Sequence, residues 1–328
     1  MAGETGNIAA AAERISAEIF GEFGWVTCGT SNENWACVHK TDHEKSSHPT
    51  DVVFCYAHPY FNRNVYINCD LKSYKAKSIS KASISGSVTN LIKATECAQV
   101  SDEWHERYTF RDYNREIVGM LFIYNHDGEY DKDFNSYLEG FSKEDFKMRK
   151  GCKVFILNPE TICYLKTISN DIKTLRGDKK LGDKETYSFF YPEQHFSKLM
   201  RDENKAATVE TLLGPWQIIK HTKEDRSNGL IVYLRTSEAT VDEFTYFIDY
   251  LFRYQLIHYM EDISIRVPFG ADGAASNFEK AADHYAYAIS ADNEISKRLA
   301  KIKFAQLTAV FTHYSSIDIG MRNASQNY

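Results

Sequence analysis

The chain has 328 residues, of which 43% are hydrophobic and 26% are charged, as is typical of a soluble globular protein with one large domain or two modest ones. No apolar run approaches the roughly 18 residues of a membrane span, and no secretory signal is evident, so a cytoplasmic protein is expected. The formal net charge of −6 neither indicates nor excludes nucleic-acid binding, because local clustering of basic residues decides this.

The N-terminal segment has the periodicity of an amphipathic helix. Apolar residues recur on one face from Ile8 to Phe23, and Gly24 follows as a helix-ending glycine. Residues 25–28 and 35–39 then favour a short first strand or hairpin. Two longer apolar runs, 51–58 and 65–74, are separated by a Pro- and Asn-containing turn. They predict an antiparallel hairpin.

The next elements complete an α/β layer. A Ser- and Lys-rich loop precedes a helix expected from about Ser87 to Ala98. Residues 117–124 and 153–157 are short, nearly continuous apolar runs, which favour interior strands. A helix is predicted over 161–175. The order helix, three strands, helix, strand, strand predicts an α/β fold with a mixed sheet.

The second half predicts a separate mixture of strands and helices. Residues 176–184 contain glycine and many charges and are the expected linker, which divides the chain into domains 1–175 and 185–328. Strands are predicted over 216–221, 230–236 and 263–267. A long aromatic helix is expected over 241–260, and one or two helices over 277–314. Whether this α+β half forms its own domain or extends the first sheet stays open.

Two acids and a lysine form the pattern most typical of a catalytic site in this sequence. Asp70 and Lys72 lie two apart on a predicted strand, so their side chains project from the same face. Asp51 begins the strand predicted to pair with it. A divalent metal, Mg²⁺ or Mn²⁺, fits between Asp51, Asp70 and the backbone carbonyl of Leu71, with Lys72 near the attacking water. The pattern predicts metal-dependent cleavage of a phosphodiester.

The Asp-x-Lys pattern alone is weakly specific. An acid two residues before a lysine occurs at five positions: Asp70, Asp145, Asp171, Asp178 and Glu203. Only Asp70 lies late in a strand-like run with an acid opening the preceding strand. The alternative is a solvated strand end whose Asp and Lys form a surface ion pair of little energetic value.

A basic stretch follows the predicted catalytic lysine. Residues 72–94 contain no acid, and their serines supply small hydroxyl donors for phosphate oxygens. This surface is predicted to track the backbone of a nucleic acid, and a flexible solvated loop is the alternative. Gly86 and Ser87 are also candidates for the start of the following helix, whose N-terminal amide groups favour a phosphate. The predicted nucleic-acid-binding residues are Lys75, Lys77, Lys81 and Lys93.

The cysteines and histidines indicate no metal site by their spacing. The cysteine number, seven, is odd and the spacings are irregular, which favours buried free thiols in a reducing compartment over disulfides. One group contains ligand types that zinc binds, but no CxxC pair and no regular ligand spacing accompanies it, so surface histidines are predicted instead. The group is His39, His43, His48, Cys55 and His58.

The segment Pro49-Thr50-Asp51 followed by Asp70-Leu71-Lys72 resembles the PD-(D/E)XK nuclease superfamily of restriction-type endonucleases. The family core is αβββαβ, the order predicted above. The family's Pro-Asp is extended here to Pro-Thr-Asp. The opening helix is similar to that of Mrr-like members, in which a glutamate precedes apolar residues and a Gly-aromatic pair. This resemblance implies Glu13 as the accessory acid, with Glu18 as the alternative.

The resemblance covers about the first 160 residues and implies a Mg²⁺- or Mn²⁺-dependent DNA endonuclease. Its Mrr-like character suggests bacterial anti-phage defence, with a homodimer or a partner protein supplying target recognition. The sequence leaves two alternatives to a DNA endonuclease. One is a catalytically inactive scaffold on the nuclease fold, and the other is an RNase on the same fold.

Overall fold

The structure is a computed structural model that describes residues 2–110, 114–139, 141–142, 145–192, 206–222, 227–236, 238–270 and 272–310, with side chains from residue 10 onward. The contacts divide the chain into two units, Met1–Cys163 and Tyr164–Val310. The segment 176–184, which we expected to be the linker, therefore lies inside the second unit. Its glycine and charges belong to a helix end, where the N–H groups of Lys180 and Leu181 donate to the Leu175 carbonyl.

The first unit is an α/β layer built on a mixed sheet. The strand order is β1-β4-β5-β6-β7, in which β1, β4 and β5 are antiparallel and β5, β6 and β7 are parallel. This confirms the predicted αβββαβ core. The elements are α1 (Ala2–Glu22), β1 (Val26–Cys28), β2 (Glu33–Ala36), α2 (Lys40–His43), β3 (Ser47–Thr50), β4 (Val52–Ala57), β5 (Asn64–Tyr74), α3 (Lys81–Ala98), α4 (Asp102–Tyr108), β6 (Arg115–Asn125), α5 (Asn135–Leu138), β7 (Val154–Leu157) and α6 (Pro159–Gly177), which continues into the second unit.

Helix α1 packs its predicted apolar face against the sheet. Ile15, Ile19 and Phe23 are buried, and Gly24 ends the helix with a φ of 82°, a conformation that glycine adopts without strain. The helix lies over the face that carries Phe54 of β4, whose ring centroid is 5.1 Å from that of Phe20. The side chain of Ile8 lies outside the described residues.

The segments 25–28 and 35–39 do not form one hairpin. Strand β1 pairs with β4, whereas β2 pairs with β3 in a separate two-stranded ribbon. Gly29 and Asn32 both have positive φ values, 65° and 60°, so the chain turns out of the main sheet between β1 and β2. The ribbon and the short helix α2 form an excursion that ends immediately before β4.

Helix α3 begins at Lys81 rather than near Ser87. Ser80 caps it, because its hydroxyl accepts from the Ser83 N–H while the Ser83 hydroxyl accepts from the Ser80 N–H. A capping box with serine in place of glutamate explains why the helix extends further than predicted. Gly86 therefore lies inside the helix, and the expected helix start at Gly86 and Ser87 is wrong.

Helix α3 approaches strand β6 closely at Gly119. A Cβ at this glycine would lie 2.4 Å from Thr95 Oγ1 and 3.1 Å from Leu91 Cγ and Val154 Cγ2. Only glycine permits this helix–sheet distance, since protein interiors are close-packed.

We expect Gly119→Ala to lower the free energy of unfolding by about 1–3 kcal/mol, because the added methyl overpacks the interface. Chemical denaturation measures the change. Adding Thr95→Ala should recover part of the loss, because it removes the closest atom. Equal stability of Gly119→Ala and the natural chain would contradict this packing.

The second unit has its own sheet, so the second half is not an extension of the first sheet. The strand order is β12-β11-β10-β9-β8, and β10, β11 and β12 are parallel. Among the described residues no helix is long and apolar enough to cross a bilayer. The elements are β8 (Tyr187–Phe189), α7 (Val209–Leu213), β9 (Trp216–Thr222), β10 (Asn228–Leu234), α8 (Val241–Arg253), α9 (Leu256–Tyr259), β11 (Asp262–Pro268), α10 (Ala274–Ala288), α11 (Asn293–Ala300) and β12 (Lys303–Leu307).

Two expectations for this unit are corrected. The helix predicted over 241–260 breaks at Gln255, whose φ of 58° is left-handed, into α8 and α9. The helical prediction over 277–314 missed strand β12, which pairs in parallel with β11, and residues 311–314 lie outside the described residues. The core of the unit lies between the sheet and helices α8 and α10, and it contains Phe244, Phe247 and Phe278.

Candidate active site

The pairing of β4 with β5 brings the predicted acids together. The register joins Val52 to Cys69 and Val53 to Asn68, so its continuation places Asp51 opposite Asp70. Directly opposed residues of an antiparallel pair share one face, and so do residues two apart on one strand. Asp51, Asp70 and Lys72 therefore project from the same face, the one opposite to α1.

A backbone hydrogen bond holds the Asp51 side chain across the strand pair. The Leu71 N–H donates to Asp51 Oδ2 at 2.6 Å. Because the N–H and C=O of a strand residue project to the same edge, the Leu71 carbonyl also faces the Asp51 side. The Lys72 ammonium forms an ion pair with Asp70 Oδ1. The structure thus brings together Asp51, Asp70, Lys72 and the Leu71 backbone.

The electrostatics of this group are those of two crowded carboxyls. Burial raises the pKa of Asp51 to about 6, and the Asp70 carboxylate adds to the rise, while the Leu71 N–H and the Lys72 ammonium oppose it. Burial lowers the pKa of Lys72, but the ion pair with Asp70 outweighs burial, so its pKa is raised overall. Lys72 is therefore an ammonium at neutral pH, and the Asp51–Asp70 pair attracts a further cation.

Glu13 reaches the site through one intermediate residue that the sequence analysis missed. Asn32 Nδ2 donates to Glu13 Oε2 at 3.4 Å, and the Asn32 N–H donates to the Asp51 carbonyl at 2.8 Å. Asn32 has a left-handed backbone, which asparagine tolerates better than most residues. Glu18, the alternative acid, forms an ion pair with Arg14 at 3.0 Å. The chain pattern around Asn32 carries no signal for this bridge.

A buried network fixes the segment before Asp51. The Trp35 indole N–H donates to Thr50 Oγ1 at 2.9 Å, and the Thr50 hydroxyl donates to Asn68 Oδ1 at 2.8 Å. All three side chains are buried, so each bond satisfies a polar group that has lost water. Asn68 is two residues before Asp70 on β5. The network therefore ties the β2–β3 ribbon to β5, the strand that carries Asp70 and Lys72.

Residues 1–161 match the family model described as the GAPS4 protein PD-(D/E)XK nuclease domain. The N-terminal unit belongs to this family. It is a PD-(D/E)XK nuclease domain. The match confirms the resemblance inferred from Asp51, Asp70 and Lys72. Comparison with curated proteins and with solved structures gave no significant match.

Nucleases of this superfamily generally use divalent metal ions, and the oxygen donors of the nuclease domain fit such an ion. Two carboxylates and a backbone carbonyl are ligands that hard divalent cations prefer. The Asp70 carboxylate contributes to the raised pKa of Asp51, as expected for two neighbouring carboxyls. A divalent cation held by both would neutralise them.

The predicted phosphate-binding lysines of the nuclease domain lie in different surroundings. Lys75 and Lys77 are exposed on the short connection between β5 and α3, which the Ala76 N–H ties to both carboxylate oxygens of Asp127 at 3.1 Å. Lys81, exposed in the first turn of α3, donates to the Glu139 carbonyl at 3.0 Å. Lys93 donates to the His43 carbonyl at 3.2 Å, three helical turns further along α3.

The raised pKa of Asp51 predicts a pH-dependent stability. A carboxyl whose folded-state pKa exceeds its ordinary 3.8 stabilises the fold at low pH, and this contribution is lost as pH rises to about 6. Above pH 6 and without divalent cations, Asp51→Asn should therefore raise the free energy of unfolding by about 1–3 kcal/mol. Denaturation at pH 7 and at pH 4 measures the change.

Near pH 4 the difference between Asp51→Asn and the natural chain should become small. Adding Mn²⁺ at pH 7 should stabilise the natural chain more than the variant, because a divalent cation binds only the ionised acid strongly. A natural chain that is more stable than Asp51→Asn at pH 7 without metal would contradict the crowding of the two carboxyls.

Proposed function

We propose that the chain is an endonuclease that hydrolyses phosphodiester bonds of DNA and depends on Mg²⁺ or Mn²⁺. The observation that carries the proposal is the meeting of Asp51, Asp70 and Lys72 on one face at the end of the β4–β5 pair. A nuclease domain acts on nucleic acid, and both DNA and RNA are phosphodiesters. RNA cleavage is therefore an outcome of the substrate test.

Each residue has a proposed role that follows from its contacts. Asp51, Asp70 and the Leu71 carbonyl would hold the metal, which would lower the pKa of a bound water and offset the charge of the phosphate. Lys72, protonated and held by Asp70, donates to the attacking water or to the phosphate oxygen rather than removing a proton. The hydrogen bond from the Leu71 N–H fixes the orientation of the Asp51 carboxylate. Glu13 supports the backbone of Asp51 through Asn32.

The exposed lysines beside the site have the proposed role of gripping the nucleic-acid backbone. Lys75 and Lys77 follow Lys72 by a few residues and extend from the same strand end. Lys81 adds a third cation at the start of α3, near amide groups that also favour phosphate. Lys93 contributes less directly, because its ammonium is committed to the His43 carbonyl.

A defence role is proposed by analogy. The opening helix is similar to that of Mrr-like nucleases, which suggests a defence nuclease, and the second unit has a hydrophobic core of its own. We propose that the chain acts as a homodimer or with a partner protein, and that the second unit supplies this contact.

Replacement of Asp70 or Lys72 by alanine should abolish cleavage while leaving the fold intact. Loss of a metal ligand or of the ammonium removes transition-state stabilisation, and we expect a decrease of at least about 100-fold in rate. Digestion of plasmid, linear DNA and RNA with Mg²⁺ and with Mn²⁺ measures this and identifies the substrate. Undiminished cleavage by both variants would refute the assignment.

A matched control for this experiment exists in the chain. Asp178 and Lys180 have the same Asp-x-Lys spacing and form an exposed ion pair at 3.0 Å. Asp178→Ala and Lys180→Ala should cleave at the natural rate. Titration with Mn²⁺ tests the alternative of an inactive scaffold. The enzyme should bind Mn²⁺ specifically and lose this binding in Asp51→Ala, whereas a scaffold should not bind the ion in either form.

The Asn32 bridge separates the two candidate accessory acids. Asn32→Gly tolerates the positive φ but deletes the bond to Glu13, and Glu13→Gln removes the charge. We expect each to slow cleavage about 2- to 12-fold, the effect of one hydrogen bond. Glu18→Gln is the control and should cleave normally. Slower cleavage by Glu18→Gln, with Glu13→Gln unaffected, would assign the role to Glu18 instead.

A further inference from the structure

The first unit contains a second cluster of ligand-type side chains, away from the carboxylates. Cys37, His43, His48 and Cys97 are all buried, and one potential ligand atom from each lies within 4.8 Å of all the others. Three come from the β2–α2–β3 excursion, and Cys97 comes from the end of α3. The linear sequence gives no CxxC pair or regular ligand spacing for this cluster, because Cys37 and Cys97 are 60 residues apart.

The distances match a tetrahedral thiolate–imidazole site. Cys37 Sγ lies 3.7 Å from Cys97 Sγ, and His43 Nδ1 lies 3.6 and 3.4 Å from these two sulfurs. A tetrahedral zinc ion with Zn–S of about 2.3 Å and Zn–N of about 2.0 Å requires about 3.8 Å between sulfurs and about 3.5 Å between sulfur and nitrogen. The observed triangle agrees with these values.

The groups around His43 have the arrangement of a metal-bound histidine. While Nδ1 faces the sulfurs, Nε2 lies 3.5 Å from Glu96 Oε2, a buried carboxylate. Glu96 is itself held by the Arg149 N–H at 2.7 Å. A histidine that ligates a metal through one nitrogen characteristically donates from the other to a carboxylate. Glu96 therefore orients His43 toward the two sulfurs.

His48 supplies independent evidence for a ligand. His48 is only 1% exposed, so its two ring nitrogens have no access to water. Neither nitrogen makes a hydrogen bond among the described residues. Such a group is costly unless something else binds it.

We propose that Cys37, His43, His48 and Cys97 bind one structural Zn²⁺. Two thiolates and two imidazoles form a closed, four-ligand set of the borderline-soft type that zinc prefers. Binding displaces the thiol protons of Cys37 and Cys97 to solvent and leaves the site neutral. The ion links the β2–α2–β3 excursion to α3. It supports the nuclease site indirectly, since β3 carries His48 and runs into Asp51.

Metal analysis of the untagged full-length chain, purified without chelator, tests the proposal. We expect close to one zinc per chain, and at least a tenfold loss in Cys97→Ser and in His48→Ala. Cys55→Ser, a buried cysteine of β4 outside the cluster, is the matched control and should retain the zinc. The proposal would be overturned if the natural chain is purified without zinc and also fails to bind added Zn²⁺.

Cobalt substitution keeps the test valid if the variants fail to fold. The natural chain with Co²⁺ in place of zinc should show thiolate-to-cobalt charge transfer and the intense visible bands of a tetrahedral site. An octahedral cobalt spectrum without charge transfer would overturn the proposal. So would a Cys37–Cys97 disulfide, detected as five free thiols instead of the seven cysteines present when the denatured, chelator-treated chain is titrated.

The outcome is independent of the proposed nuclease activity. Asp70→Ala should keep the full zinc content while losing cleavage. Zinc with no cleavage by the natural chain would uphold the structural site and refute the nuclease proposal. Cleavage abolished by Asp70→Ala in a chain that never binds zinc would do the reverse.

Discussion

The antiparallel pairing of β4 with β5 is the constraint on which the candidate active site depends. It places Asp51 opposite Asp70, and the Leu71 N–H then fixes the Asp51 carboxylate at 2.6 Å. A shift of one residue in register would send Asp70 and Lys72 to the face covered by α1. The apolar residues of both strands prevent such a shift, because it would move buried side chains to the wrong side of the sheet.

The same pairing brings two carboxyl groups close together, an arrangement that favours the binding of a metal cation. The Asp70 carboxylate raises the pKa of Asp51, while the Leu71 N–H and the Lys72 ammonium, which pairs with Asp70, lower it. Burial makes this crowding more costly than it would be in water. The fold tolerates the cost because the β strands around the pair are held by a large apolar core, to which the α1 and α3 helices contribute on opposite faces of the sheet.

The β2–β3 ribbon connects the two groups of functional interest. Its Trp35 donates to Thr50, which donates to Asn68 on the same strand as Asp70, and its His48 belongs to the cysteine–histidine cluster. A ribbon of two short strands has little stability by itself. It therefore depends on buried polar contacts, and the proposed zinc ion would add a further cross-link to α3 close to the chain segment that enters Asp51.

Local sequence determined the elements and the pair of strands that carry the acids. The α1 periodicity, the apolar β4, β5 and β6 runs and the Asp51/Asp70/Lys72 spacing follow from rules that act within a few residues. Only the tertiary structure decided contacts between distant residues: the Asn32 bridge to Glu13, the Thr50 bond to Asn68, and Cys97 meeting His43. These depend on chain reversal and helix–sheet packing, and a linear pattern does not encode which remote side chains such packing brings together.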